Sequence, residues 1–108
     1  SEPRMFKKNL RLPIDDFKKK RPKSVSSDFF SIKFSPNGLE YNRFGVIISA
    51  KAEPKSTRRH LLKRKILSIA KKIPNQKTDF LIITLPSVKK LEEKNINPEI
   101  INLFNKII

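Results

Sequence analysis

The chain has no cysteine and no tryptophan, only two glycines in 108 residues, and 10 acidic residues against 25 lysines and arginines. Each scarcity excludes something. Without cysteine there is no disulfide framework and no thiolate metal site, which fits a reducing cytoplasm. No glycine-rich phosphate loop is present. The single histidine, His60, makes neither a metal site nor a catalytic dyad. No apolar run approaches the roughly 18 residues of a membrane span, and no signal-peptide pattern opens the chain. The shortage of acids leaves a formal charge of +15, which opposes self-association and favours a polyanionic partner.

What is present suffices for one folded domain. Ile, Leu, Val and Phe recur in periodic blocks, so a packed core is feasible and a disordered basic tail is not the expectation. Ser1 to Arg4 read as a cloning remnant or a disordered start, with Met5 as the native beginning, and residues 5–108 read as a single RNA-binding domain. Pro13 is placed to open a short helix, with Asp15 and Asp16 in its first turn, running to about Lys20. Arg21 to Asp28 reads as a loop or ragged edge strand. Phe29 to Ser35 alternates as a strand does, with Phe30, Ile32 and Phe34 facing one way and Phe29, Ser31 and Lys33 the other. Ser35-Pro36-Asn37-Gly38 is a turn, and Arg43 to Ala50 is a near-continuously apolar strand expected at the sheet centre.

A main helix follows, with Ser56 or Thr57 as its cap and its end near Ile73, before Pro74. Leu62, Ile66, Ile69, Ala70 and Ile73 form its apolar stripe. Arg59, His60, Lys63, Arg64 and Lys71 form a neighbouring stripe, Arg58, Lys65 and Lys72 a far flank, and the helix contains no acid. Asp79 to Leu85 is a third buried strand, Ser87 caps a short helix through Lys94, and Asn97-Pro98-Glu99 starts a last helix with Ile100, Ile101, Phe104 and Ile107 inward. The fold class is α+β: a small central sheet packed by helices, in the order helix, strands, basic helix, strand, C-terminal helices.

Seven like charges on one helix repel one another, and solvated helices usually alternate signs instead. An anion would relieve that cost. Lys51 and Lys55 before the helix and Lys7, Lys8, Arg11, Lys18, Lys19, Lys20, Arg21 and Lys23 near the N-terminus add to the supply. His60 reads equally as a surface residue or an RNA contact. Phe17 reads either as core or as one wall of a cleft beside Ser31 and Lys33, a basic groove suited to single-stranded RNA. Asp15 and Asp16 read as a helix start, and Glu92 and Glu93 as surface charges. No nucleophile–base pair or paired carboxylates appear, so no catalytic residue is assigned.

These residues resemble the bacterial ribonuclease P protein component. The likeness runs from about Lys7 to about Phe104, through Arg11-Leu12, Asp16-Phe17, the Phe-rich strand, Pro36-Asn37-Gly38, Arg43-Phe44-Gly45-Val46, Ser49-x-Lys51 and the basic helix. The family's Arg-Asn-Arg-apolar-basic-Arg motif aligns with Arg59-His60-Leu61-Leu62-Lys63-Arg64; a one-residue shift would set Arg58-Arg59-His60 on it instead. His60 and Leu61 depart from that motif, Arg21 stands where the family has an aromatic, and Lys33 where it has a strand tyrosine. The resemblance implies a ribosomal-protein-domain-like sandwich with a left-handed strand–helix–strand crossover. It also implies a protein, monomeric in its complex, that binds a large catalytic RNA and the 5′ leader of precursor tRNA, while that RNA holds the catalytic Mg²⁺. Lys51, Lys55, Arg58, Arg59, His60, Lys63 and Arg64 are then the expected contacts to the catalytic RNA, and Phe17, Arg21, Ser31 and Lys33 those to the leader. The alternative is a ribosomal or general structured-RNA-binding protein with no processing role.

Overall fold

A computed structural model describes residues 12–107 of the protein. Ser1 to Arg4 and the cations Lys7, Lys8 and Arg11 lie outside those residues. In chain order the elements are α1 (Ile14–Lys18), β1 (Lys23–Ser26), β2 (Phe30–Pro36), β3 (Arg43–Ile48), α2 (Ser56–Ala70), β4 (Thr78–Thr84), two short 3₁₀ segments (Pro86–Lys90 and Glu93–Asn95) and α3 (Ile96–Ile107). The strands form one open sheet in the order β1-β2-β4-β3, so the architecture is the expected α+β layer of helices on a small sheet. β1, β2 and β4 pair antiparallel, whereas β3 and β4 run parallel and are joined by α2 as a crossover.

The two-residue period of β2 sorts its side chains as the sequence implies, except that Phe29 precedes the strand and packs against the main core and not on the Ser31 and Lys33 face. Phe30 and Ile32 are fully buried under α2 and α3, while Ser31 is half-buried and Lys33 exposed on the opposite face. β4 sits in the middle and is buried on both faces: Phe80 and Ile82 join the main core, and Leu81 joins a second, smaller one with Leu12 and Phe17. Ring contacts tie the main core across elements. Phe44 stacks on Phe80 at 5.6 Å, and Phe104 of α3 meets Phe80 edge-on at 5.2 Å.

β3 corrects an expectation, because it is an edge strand and not the central one. Its apolar run reports two covered faces: α2 packs over one, and Leu12 with α1 over the other. The Leu12 N–H also donates to the Phe44 carbonyl at 3.0 Å on the free side of the strand. That approach is close at Gly45, where an added Cβ would lie 3.3 Å from both Leu12 and Leu81 and crowd them. Gly38 takes φ +71 in the turn after β2, as the turn signal requires.

Local ends also differ from the sequence expectation. α1 stops at Lys18, two residues early, and α2 stops at Ala70, with a turn carrying the chain to Pro74. Ser56 and Thr57 lie inside α2; Lys55 occupies the cap position and no side chain caps the helix. The Ser87–Lys94 helix is two 3₁₀ segments, and Ser87 donates its hydroxyl to the Asp28 carbonyl instead of capping. α3 buries Leu103 in place of Ile101, which is 41% exposed.

Candidate nucleic-acid interface

α2 is held at both ends by polar contacts that the sheet provides. Before it, the Ser49 carbonyl accepts from the Ala52 and Glu53 N–H groups at 3.1 Å each, forming a tight loop after β3. Arg59 then reaches back one turn, and its Nη1 donates to the Glu53 and Pro54 carbonyls at 2.9 Å each. After α2, the buried Asn42 at the mouth of β3 staples the return loop. Its Oδ1 accepts from the Gln76 and Thr78 N–H groups at 2.9 and 3.2 Å, and its Nδ2 donates to the Pro74 carbonyl at 3.2 Å. Ile66, Ile69 and Ala70 bury the inner side of the helix.

A helix fixed in this way presents its other side at a set spacing, roughly 22 Å long for 15 residues at about 1.5 Å each. On that side Arg58, His60 and Lys63 are exposed, Arg64 is half-buried, and Lys51 and Lys55 are exposed in the loop that leads in. Lys65 is drawn to Glu93 at 3.3 Å. The structure therefore brings the seven residues expected to meet the catalytic RNA into one loop-and-helix unit. Arg59 has a second task, since its guanidinium already shapes the loop.

The expected leader residues divide. Lys33 and Ser31 share the face of the sheet that α2 does not cover, where Ser26 donates its hydroxyl to Ser31 at 3.1 Å and Ser24 stands opposite Lys33. Arg21 is exposed just beyond α1, at φ 52. Phe17 must be corrected. It is 1% exposed, packed with Leu12 and Leu81, so its ring is core and offers no face to a base.

Sequence reasoning missed the charge network at the other end of this face. Asp79 is fully buried at the start of β4 and is the register partner of Arg43 at the start of β3. Arg43 donates through Nε and Nη2 to the two carboxylate oxygens at 2.8 and 2.7 Å. Asn37 Nδ2 donates to Oδ1 at 2.9 Å, and Lys20 lies 3.7 Å from Oδ2. The hydrogen bond to Asp79 raises the Arg43 pKa further, so the guanidinium stays charged. It ties together β3, β4, the turn after β2 and the end of α1. The available signal was that two apolar strands each open on a charge of opposite sign.

A family model described as Ribonuclease P matches residues 6–108. The chain belongs to the ribonuclease P protein family. It is 32% identical over 99 residues to the ribonuclease P protein component of Thermotoga maritima, covering 82% of this chain and 80% of that protein. The corresponding protein of Thermotoga petrophila is likewise 32% identical, over 98 residues, with the same coverage. The solved structure of the T. maritima RNase P protein in complex with 1-(4-fluorophenyl)-2-thiourea superposes with a TM-score of 0.79 at 28% identity, covering 91% of this chain and 100% of that one. A Staphylococcus aureus RNase P protein, at 20% identity, shares the fold with a TM-score of 0.80 over 93% of this chain and 89% of its own. The protein is thus a subunit of the ribonucleoprotein endoribonuclease that serves tRNA 5′ processing, and the ribonuclease P RNA is its partner.

Proposed function

We propose that the catalytic RNA docks on the outer side of α2 and its leading loop, and that the 5′ leader of precursor tRNA lies on the face of the sheet opposite α2, over β1 and β2 beside α1. The observation that carries this reading is the arrangement of α2: five lysines and arginines and no acid on a helix pinned to the sheet at both ends. Held rigidly, like charges cannot spread apart, and a polyanion offsets their repulsion. Ser31 and Lys33 support the leader site, because hydroxyls and a cation suit phosphates and ribose hydroxyls of a single strand. With Phe17 buried, this face contacts the leader through charge and hydroxyls and not through that ring. The Mg²⁺ that drives hydrolysis is held chiefly by the RNA; among the described residues no group of three or more His, Asp or Glu side chains is placed to hold a metal.

The test is reconstitution with a catalytic ribonuclease P RNA at a Mg²⁺ concentration where that RNA alone is slow. Accurate 5′ maturation should appear only with the protein added, and robust cleavage by rigorously RNA-free protein would overturn the assignment of chemistry to the RNA. In the same assay Lys33→Glu should weaken binding of precursor tRNA more than of mature tRNA. Equal losses for the two substrates would remove the leader from this face.

A further inference from the structure

The outer surface of α2 does not end with its cations. Arg58, Leu61, Leu62 and Lys65 recur at i, i+3, i+4 and i+7 and therefore share one side of the helix. That side walls a groove of about 510 Å³ whose other wall is the first 3₁₀ segment and the start of α3, with Val88, Leu91 and Ile96 as apolar lining. Leu61 is 58% exposed at its edge. A lone exposed leucine needs no explanation, but this one continues an apolar floor. The rim carries Arg58, Lys65 and Lys89 against two acids, Glu53 and Glu93, and Glu93 is already paired with Lys65.

We infer that this groove receives an unpaired nucleotide of the catalytic RNA, its base against Leu61 and the apolar floor and its phosphate on Arg58 and Lys89. The inference rests on the proposed docking of that RNA on α2 and adds a contact of a different chemical kind. Continuity supports it. At about 100° per residue, Leu61 lies only about 60° around the helix from Arg64, so an RNA resting on the basic side meets the leucine as well. A nucleotide combines an apolar ring with an anion, and the groove offers a partner for each. Paired RNA would present backbone phosphate and ribose and leave the apolar floor unused. A protein partner would have to approach a chain of formal charge +15.

The experiment measures affinity for a catalytic ribonuclease P RNA across a salt series, with ribose 2′-hydroxyl acylation to map protected nucleotides. Leu61→Ala should weaken binding about five-fold without changing the salt slope, since it removes apolar area and no charge. It should also expose one unpaired nucleotide that the wild-type protein protects. Lys89→Ala should lower the salt slope by somewhat under one unit. Both side chains are exposed, so both variants should melt close to the wild type. If Leu61→Ala retains full affinity and the same protections, the groove takes no nucleotide, though docking on α2 stands. If the wild-type protein does not bind the RNA at all, docking on α2 falls with it.

Discussion

α2 and α3 lie against the same face of the sheet and contribute to the same core, but they divide its work unequally. α3 buries four large side chains in 12 residues: Ile96, Ile100, Leu103 and Phe104. α2 buries three in 15, and one of them is Ala70. α3 follows the helix dipole, with Glu99 in its first turn and Lys106 in its last. α2 has no acid in its first turn and no base in its last, and it places Arg58 and Arg59 near its positive end. By the criteria of folding alone α2 is the poorer helix. Its sequence makes sense when the missing anion comes from a partner, as the repulsion and the adverse dipole are then both offset.

The largest expected effect comes from the helix devoted to the core. Phe104 is fully buried and packs edge-on against Phe80. Phe104→Ala should cost about 3–5 kcal/mol in chemical denaturation, a large share of a domain's stability. RNA affinity, measured on the fraction that remains folded, should be unchanged. A loss of affinity in that fraction beyond about two-fold would mean that α3 takes part in docking and that the division is false.

The converse variant removes charge from α2. Lys63→Ala with Arg64→Ala should weaken binding of the catalytic RNA roughly a hundred-fold, the size expected for two charged contacts. The salt slope should fall by roughly two units or a little less. Stability should change by less than about 1 kcal/mol, because alanine favours the helix and repulsion is relieved. Thermal melting beside the salt titration checks both. Normal melting with full affinity and slope would leave α2 an ordinary solvated helix.

The same contrast explains what could be read from sequence. α3 was largely legible because Asn97-Pro98-Glu99 is a local start signal and its apolar period is clean; what escaped is that the helix begins at Ile96, with Asn97 inside it and not its cap, and that Ile96 and Leu103 are buried while Ile101 is not. The cations of α2 were legible because charge needs no tertiary context to be counted. What failed depended on partners distant in the chain. The apolar character of β3 reports coverage by α2, Leu12 and α1, which sequence alone cannot distinguish from a central place in the sheet. Phe17 was undecidable until Leu12 and Leu81 closed around it. Ser87, a plausible cap by its neighbours, is bonded to Asp28, 59 residues away. The Arg43–Asp79 pair bridges 36 residues through parallel register.

Arg59 gives a finer test, as an α2 cation bonded to the backbone of the loop before its own helix. Its two donations to the Glu53 and Pro54 carbonyls shape the loop before the helix. Arg59→Ala should therefore cost about 1 kcal/mol of stability. Lys63→Ala, with an exposed side chain, should cost almost nothing. Denaturant titration of the two single variants settles the point, and equal midpoints would show that the loop holds without Arg59.

The smallest expected effect uses the exposed large apolar residues of the two helices, Leu61 on α2 at 58% and Ile101 on α3 at 41%. Leu61 borders the groove beside the basic side of α2, while Ile101 has no place in that lining. If α3 serves only the core, Ile101→Ala should alter stability by less than about 0.5 kcal/mol and leave RNA affinity unchanged, as for most surface substitutions. Leu61→Ala should match it in stability and differ only in RNA affinity. Measuring both in one salt series separates two causes that a single variant would confuse. A general response to lost surface apolarity would move both variants alike, whereas a nucleotide seated beside α2 would move Leu61→Ala alone. Equal affinities for the two variants would erase the distinction between the helices at their apolar positions and confine it to charge.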